Sequence, residues 1–248
     1  MVMKEWIYSR NAVYETLRAR RRQVFSLLLA EGLQPNAKLA QIVKLAQERK
    51  CKIERAPRAR LDKIHPNHQG VVLEASGYPY ADLTEIFEQA EKRAEPLFVL
   101  LLDTLNDPQN FGALLRTAEA VGVHGVVIPL ARTVAVTPAV VNASSGASEH
   151  LLVAQANLHQ ALEALKKAGA WVVGLEGGGA ATDASQVRLD GALGLVVGSE
   201  GEGMRPLTRK SCDVLMKLPM HGHIESLNAA VAGSVALYLA SMAREKRK

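Results

Sequence analysis

Cysteine is almost missing from this chain. Cys51 and Cys212 are the two it has, they lie far apart, and neither belongs to a Cys-x-x-Cys pair. That disfavours both a disulfide framework and a structural zinc site, so both cysteines are read as reduced packing residues. Aromatic residues make up 4% of the chain, too few for a long platform of stacked bases. No apolar run is long enough to span a bilayer, and the opening Met-Val-Met-Lys-Glu-Trp lacks a signal peptide's apolar stretch. The expected location is therefore the cytoplasm, with no membrane partner. A phosphate-loop Gly-Lys-Ser/Thr is absent too. The run Gly198-Ser-Glu-Gly-Glu-Gly203 is not Gly-x-Gly-x-x-Gly, which counts against an NAD-dependent dehydrogenase.

What is present is charge, unevenly placed. The net charge is +5, yet residues 1–65 hold 15 Lys and Arg against 6 Asp and Glu, a balance of +9, and the remainder holds 15 against 19, a balance of −4. Positive charge confined to one end suggests a module that binds a polyanion, and nucleic acid is the commonest one. Arg18, Arg20, Arg21 and Arg22 are the first candidates for phosphate contacts. The same run also suits the solvated end of a helix.

Apolar residues at 48% allow a sizeable core. The first 75 residues alternate helix-like and strand-like segments: helices at 12–20 and 36–49, strands at 24–29, 52–54 and 70–74. A turn-rich and then charged stretch, 76–95, reads as a helical linker that stops before Pro96. From 96 to 248 the pattern is that of a mostly parallel sheet with helical crossovers. Strands are expected at 97–103, 125–128, 151–154, 171–175, 193–197 and 214–218, most of them unbroken apolar runs. Helices are expected at 111–121, 138–145, 158–169 and 206–211. A last helix begins at Ser226, a good N-cap, and is apolar nearly all round. Leu227, Val231, Val235, Tyr238 and Met242 form one face, with Ala229, Ala232, Gly233, Ala236 and Ala240 forming a second, small-residue face. Such a helix is expected to be buried on several sides.

Three loops stand at the carboxyl ends of expected strands, where open α/β sheets bind ligands. The first is Asp103 to Arg116. In it Asn110 suits a helix cap or a site, and Arg116 suits the surface or a role directed at the loop. The second is Gly198-Ser-Glu200-Gly-Glu-Gly203-Met-Arg205. The third, Leu218-Pro-Met-His-Gly-His-Ile-Glu-Ser226-Leu-Asn228, carries polar groups that a purely structural helix entry does not need. His221, His223 and Glu225 alternate along a loop and lack the helical spacing of zinc hydrolases, so no metal is expected. An N-cap serine has its oxygen occupied by backbone amides, which argues against Ser226 as a nucleophile with His223 as its base.

Asn110-Phe-Gly-Ala-Leu-Leu-Arg116, Gly198-Ser-Glu200-Gly-Glu-Gly203-Met, and Leu218-Pro-Met with Ser226-Leu-Asn228, in this order, resemble the three signature motifs of the SPOUT methyltransferases. The branch they resemble is the SpoU/TrmH family of RNA ribose methylases. Tyr8-Ser-Arg-Asn-Ala12-Val13-Tyr-Glu15-Thr-Leu17 and His68-Gln69-Gly70-Val71-Val72 are similar to the L30e-like substrate-binding domain that precedes the methylase domain in RlmB-type enzymes. Those enzymes act on a guanosine of 23S ribosomal RNA. Ser9, Arg10 and Asn11 depart from the Gly-x-His usual there.

The resemblance implies an α/β chain with a C-terminal SPOUT α/β-knot, a trefoil-knotted and mostly parallel sheet with helices on both faces. A small L30e-like α/β domain precedes it. The expected layout is an RNA-binding domain at 1–75, the linker at 76–95 and the methyltransferase domain at 96–248. The family works as a homodimer and moves methyl from S-adenosylmethionine to a ribose 2′-hydroxyl without a metal. By the same resemblance Gly198, Leu218 and Leu227 hold the cofactor through backbone groups. Arg116, Asn110, Glu200, Ser226 and Asn228 form the catalytic set. Transfer RNA is the alternative substrate, and an RNA-binding or ribosome-assembly factor without catalysis is the alternative class.

Overall fold

Short strands that are apolar along their whole length must be covered on both faces, and strands of this kind, such as Phe98–Leu102 and Leu193–Val197, make the centre of the larger of two sheets. The computed structural model describes residues 3–131, 133–178, 181–199, 201–224 and 226–246. It divides into two compact units: residues 1–79 with 135–150, and residues 80–134 with 151–248.

The first unit is built on β1 (Lys4–Tyr8), β2 (Val24–Ala30), β3 (Lys52–Ala56) and β4 (Val71–Ser76), in the order β1-β4-β2-β3. Strand β4 pairs antiparallel with both β1 and β2. Strand β3 runs parallel to β2 because a helix, α2 (Ala37–Glu48), makes the crossover. Along β2 the side chains split between two cores. Leu28 and Ala30 join Tyr8, Val72 and Leu61 of α3 (Arg58–Asp62). Leu27 and Leu29 alternate to the other side, and α1 (Arg10–Ala19) packs against α2 through its buried residues Val13 and Leu17. Ser9, which stands where the resembled family has glycine, enters α1 at φ 76° and ψ 151°, a region where glycine is at home.

Residues 135–150 also belong to this unit, and they include a helix expected at 138–145 as part of the C-terminal sheet's crossovers. It forms as α6 (Pro138–Ala143), followed by a 3-10 turn at Ala147–His150. What fastens the segment is a buried ion pair. Arg22 donates from Nε and Nη2 to the two carboxylate oxygens of Glu149, each at 2.9 Å, and from Nη1 to Glu5 at 2.8 Å and the Ser76 carbonyl at 3.0 Å. Both Arg22 and Glu149 are 1% exposed. The expectation that Arg22 meets RNA phosphate is corrected here, since its fork is fully used inside the fold.

In the second unit β5 (Phe98–Leu102), β6 (Gly125–Pro129), β7 (Val153–Ala156), β8 (Trp171–Leu175), β9 (Thr182–Asp183), β10 (Leu193–Val197) and β11 (Val214–Lys217) form one parallel sheet. Its order is β7-β6-β5-β10-β8-β11-β9. One face is covered by α4 (Leu83–Arg93), with Ile86 and Ala90, and by α7 (Leu158–Lys167), with Leu158, Leu162 and Leu165. Residues 83–93, expected as linker, thus supply core.

The other face carries α5 (Pro108–Ala120) and α9 (Ala229–Glu245); α8 (Pro206–Ser211) lies between β10 and β11 in sequence. Helices α5 and α9 approach closely, because Gly233 leaves room where a Cβ would lie 2.6 Å from Leu114. Strand β10 is laid between β5 and β8 although β8 precedes it. Strand β11 is then added beyond β8, so the chain has to double back for α9 to reach α5, β8 and β10. That return of the last segment is the topology an α/β-knot requires.

Helix α9 differs from expectation at both its start and its faces. Asn228, not Ser226, is the N-cap: its Oδ1 accepts from Ala230 and Val231 N–H groups at 2.9 and 3.1 Å. The small-residue face is the buried one, through Ala229, Gly233, Ala236 and Ala240, while Val231, Val235, Tyr238 and Met242 are exposed.

Removing one partner of a buried ion pair strands the other, which costs about 3–5 kcal/mol. Arg22→Ala is therefore expected to lose stability on that scale in urea unfolding. Unchanged stability would contradict the fastening role.

Candidate active site

Three neighbouring strands of the second unit, β10, β8 and β11, end side by side, and their carboxyl ends floor a cleft of about 400 Å³. Its walls come from Leu175–Gly177 after β8, Val197–Ser199 with Gly201 and Gly203 after β10, Leu218 and Met220 after β11, and Ser226–Ala229 with Ala232 at the entry to α9. The volume lies within the ~300–1,000 Å³ typical of small-ligand pockets. Gly198, Leu218 and Leu227, which the resemblance assigns to cofactor, all line it.

The loop after β10 folds back on itself. Ser199 N–H donates to the Gly203 carbonyl at 3.0 Å and Gly203 N–H donates to the Ser199 carbonyl at 3.1 Å. Gly201 and Gly203 hold φ of +86° and +69° in that turn. At Gly198 a Cβ would lie 2.3 Å from the Gly203 carbonyl carbon and 2.5 Å from the Met204 nitrogen, so only glycine fits without moving backbone. The turn is tied to the end of β5 by Asp103, which is fully buried and accepts from Arg205 N–H at 2.9 Å and from Arg205 Nε at 2.6 Å. Sequence reasoning passed over this ion pair. The signal for it was a carboxylate closing an otherwise apolar strand.

Asn110 and Asn228, 118 positions apart, meet: Asn228 Nδ2 donates to Asn110 Oδ1 at 3.1 Å. Asn110 is not the cap of α5. Asp107 is, accepting from Gln109 and Asn110 N–H groups, so the helix starts three residues earlier than expected and the Asn110 side chain is left for Asn228. Ser226 is exposed on the cleft wall, which corrects its reading as a cap with an occupied oxygen. Arg116 is exposed on α5 and does not belong to the cleft lining. Glu200, the fifth member of the expected catalytic set, lies outside the described residues.

The cleft also gains residues that sequence reasoning missed. Glu176 and Gly177 follow β8, and the same carboxyl-end rule that flagged the other loops applied to them. Glu176 accepts from Arg209 Nε at 2.7 Å, which holds its carboxylate at the wall. Burial pushes the Cys212 thiol up to about 12, and the residue does not line the cleft. His221 and His223 are exposed, and among the described residues no group of three or more His, Cys, Asp or Glu could hold a metal.

The model of the SpoU rRNA Methylase family matches residues 97–238, more than half the chain, and these contain every wall of the cleft. The chain belongs to that family. A second model, for RNA 2′-O ribose methyltransferase substrate binding, matches residues 6–81 of this SpoU methylase. YacO of Bacillus subtilis, named for the TrmH family of tRNA/rRNA methyltransferases, is 43% identical over 242 residues, covering 94% of each chain. The SpoU methyltransferase AviRb from Streptomyces viridochromogenes, solved with AdoMet, shares the fold with a TM-score of 0.80 at 23% identity, over 98% of this chain and 91% of its own. A TrmH/SpoU tRNA modifying enzyme of A. aeolicus gives a TM-score of 0.56 at 27% identity, over 66% of this chain and 83% of its own. Among the described residues of this SpoU methylase no helix is long and apolar enough to cross a membrane.

Of the arginines expected to meet RNA in the first unit, Arg22 is buried, as described. Arg21 is half-buried, donating to Tyr78 Oη at 3.0 Å and the Pro79 carbonyl at 2.9 Å. Arg18 and Arg20 keep exposed side chains beside Glu15 and Glu48, at 3.6 and 3.3 Å. The run therefore offers two accessible cations instead of four.

Forcing a methyl group against backbone costs about 1–3 kcal/mol. Gly198→Ala is expected to lower thermal stability on that scale, whereas Gly191→Ala, with nothing within 4 Å of its added Cβ, stays within about 0.5 kcal/mol of the parent. Equal melting temperatures for the two variants would show that the close approach is not maintained in solution.

Proposed function

We propose that this SpoU methylase transfers a methyl group from S-adenosylmethionine to the ribose 2′-hydroxyl of a guanosine in 23S ribosomal RNA, as a cytoplasmic homodimer. The observation that carries the reading is that the second and third motif segments, far apart in sequence, line one cleft, while the first is joined to it by the Asn110–Asn228 hydrogen bond. The cleft suits the cofactor: Leu175, Leu218, Met220 and Leu227 offer apolar cover for a nucleoside, and the glycine turn leaves backbone groups uncovered. The absence of room for a side chain at Gly198 fits the same use. When bound, S-adenosylmethionine supplies a methyl activated by its sulfonium.

What remains for the protein is alignment and charge. Gly198, Leu218 and Leu227 hold the cofactor through their backbone. Asn110 and Asn228 fix one another, and with the exposed Ser226 hydroxyl they orient the ribose by hydrogen bonds. Arg116 grips the phosphate beside the target ribose and stabilises the oxygen as it loses its proton. A guanidinium is effectively never deprotonated, so Arg116 is not assigned as the proton acceptor. Glu200 keeps its proposed part in orienting Arg116.

The homodimer is supported by α9, whose Val231, Val235, Tyr238 and Met242 form an apolar stripe open to solvent in the single chain. Ribosomal RNA is favoured over transfer RNA because the family model matching residues 97–238 is described as that of an rRNA methylase, and because the likeness to the tRNA modifying enzyme stops at two thirds of the chain. Transfer RNA stays the second reading because YacO is named for both substrates.

Incubation with labelled S-adenosylmethionine and separated ribosomal and transfer RNAs, followed by mapping of the ribose that resists alkaline cleavage, tests the substrate. Label on a 23S guanosine is expected; label confined to transfer RNA would contradict it. Arg116→Lys keeps the charge but loses the planar fork. Its turnover is expected to fall about 10²–10³-fold with cofactor affinity unchanged, the scale of losing one transition-state donor. Near-normal turnover would remove Arg116 from the catalytic set.

A further inference from the structure

The first unit has a cavity of its own that the methylation chemistry does not use. It measures about 320 Å³ and opens between α2 and the carboxyl ends of the parallel pair β2 and β3. Its floor is apolar, from Leu29, Leu33, Leu39 and Val43, and its polar lining consists of Asn36, Gln47, Lys44 and Arg55. No carboxylate lines it. Parallel strands joined by a helix place ligand crevices at this end of a sheet.

Cations outnumber carboxylates around it. Residues 44–63 hold 8 Lys and Arg against 3 Asp and Glu. Glu48 pairs with Arg20 and Asp62 with His68, while Glu54 takes up Lys52 and Arg60 of the same stretch. Lys44 and Arg55 make no ion pair among the described residues, in contrast to Arg21 and Arg22, whose guanidiniums are spent on the fold. Asn36 uses its Oδ1 to cap α2 through the Leu39 N–H, which leaves its amide nitrogen at the cavity.

We propose that this groove is where the first unit takes one unstacked nucleotide of its RNA. The apolar floor covers the base, Asn36 and Gln47 meet its polar edge, and Lys44 and Arg55 hold the flanking phosphates. A groove of this size admits one base and excludes a duplex. RNA is read in this manner at bulges and loops whose bases are splayed out, and phosphate contacts fix the register without reading sequence. The inference rests on the RNA reading above and moves the centre of RNA contact from Arg18–Arg22 to α2 and β3.

The test is filter binding of 23S ribosomal RNA across a salt series with the full chain, alongside thermal melting. Lys44→Ala/Arg55→Ala is expected to weaken affinity at least tenfold and to flatten the log–log salt slope by about 1.5, the share of two phosphate contacts. Ala40→Trp fills the groove from an exposed helical position. It is expected to weaken affinity several-fold with the salt slope unchanged, because it removes no charge. RNA binding equal to the parent in either variant overturns the groove. So does an Ala40→Trp variant that keeps RNA but loses binding of a polyglutamate peptide, which would assign the groove to an acidic polypeptide. If the parent itself neither binds nor methylates RNA, the RNA reading fails; if the parent does both and the variants match it, the groove alone fails.

Discussion

Where the chain leaves β10 at Gly198, the backbone of Gly203 and Met204 lies so near that a Cβ would sit 2.3–2.5 Å from it. Much of the second unit depends on that closeness. It lets the turn after β10 fold flat across the strand ends, where the mutual Ser199–Gly203 hydrogen bonds hold it and Asp103 ties it to β5 through Arg205. With the turn folded flat, the ends of β8 and β11 stay open beside it and the last segment can double back over them. The cleft is a result of that topology. Its walls join the backbone and glycines of the turn to the larger Leu175, Leu218, Met220 and Leu227 side chains.

Each unit uses a buried carboxylate and an arginine to tie distant segments together. In the first, Arg22 and Glu149 are buried together, and their bidentate pairing fastens residues 135–150 to the N-terminal sheet, while Lys44 on α2 and Arg55 on β3 make no ion pair among the described residues. In the second, Asp103 and Arg205 join two loops whose separation in sequence is 102 positions. Neither arrangement is a surface salt bridge of small worth, since each has at least one fully buried member and geometry that satisfies several donors.

Much of this was legible in the sequence. Unbroken runs such as Trp171–Leu175 and Leu193–Val197 gave strands with the bounds found, because a strand buried on both faces has no competing period. The motif segments with Gly198, Leu218 and Asn228 pointed to the cleft, and the one with Asn110 to the hydrogen-bond partner of Asn228, through the carboxyl-end rule and through resemblance. What was not legible depended on partners distant in the chain. A run of arginines looks alike whether it meets phosphate or, as with Arg22, a glutamate 127 positions away. An apolar helix does not say which face is covered within one chain, and in α9 the small face was covered and the large one left open. Strand β1, with Lys4, Glu5 and Trp6 in its five residues, shows no clean period of two and was missed. Asp107 and Asn110 compete as caps of one helix, and proline at the first helical position favours the earlier of them.

The central claim is that segments 175–177, 197–203 and 218–228 form one binding site for S-adenosylmethionine. Amide hydrogen exchange of the full chain with and without saturating S-adenosylmethionine tests it most directly. The account predicts slowed exchange in those three segments together, with the first unit unchanged. Slowed exchange elsewhere, or in one of the segments without the others, would contradict it.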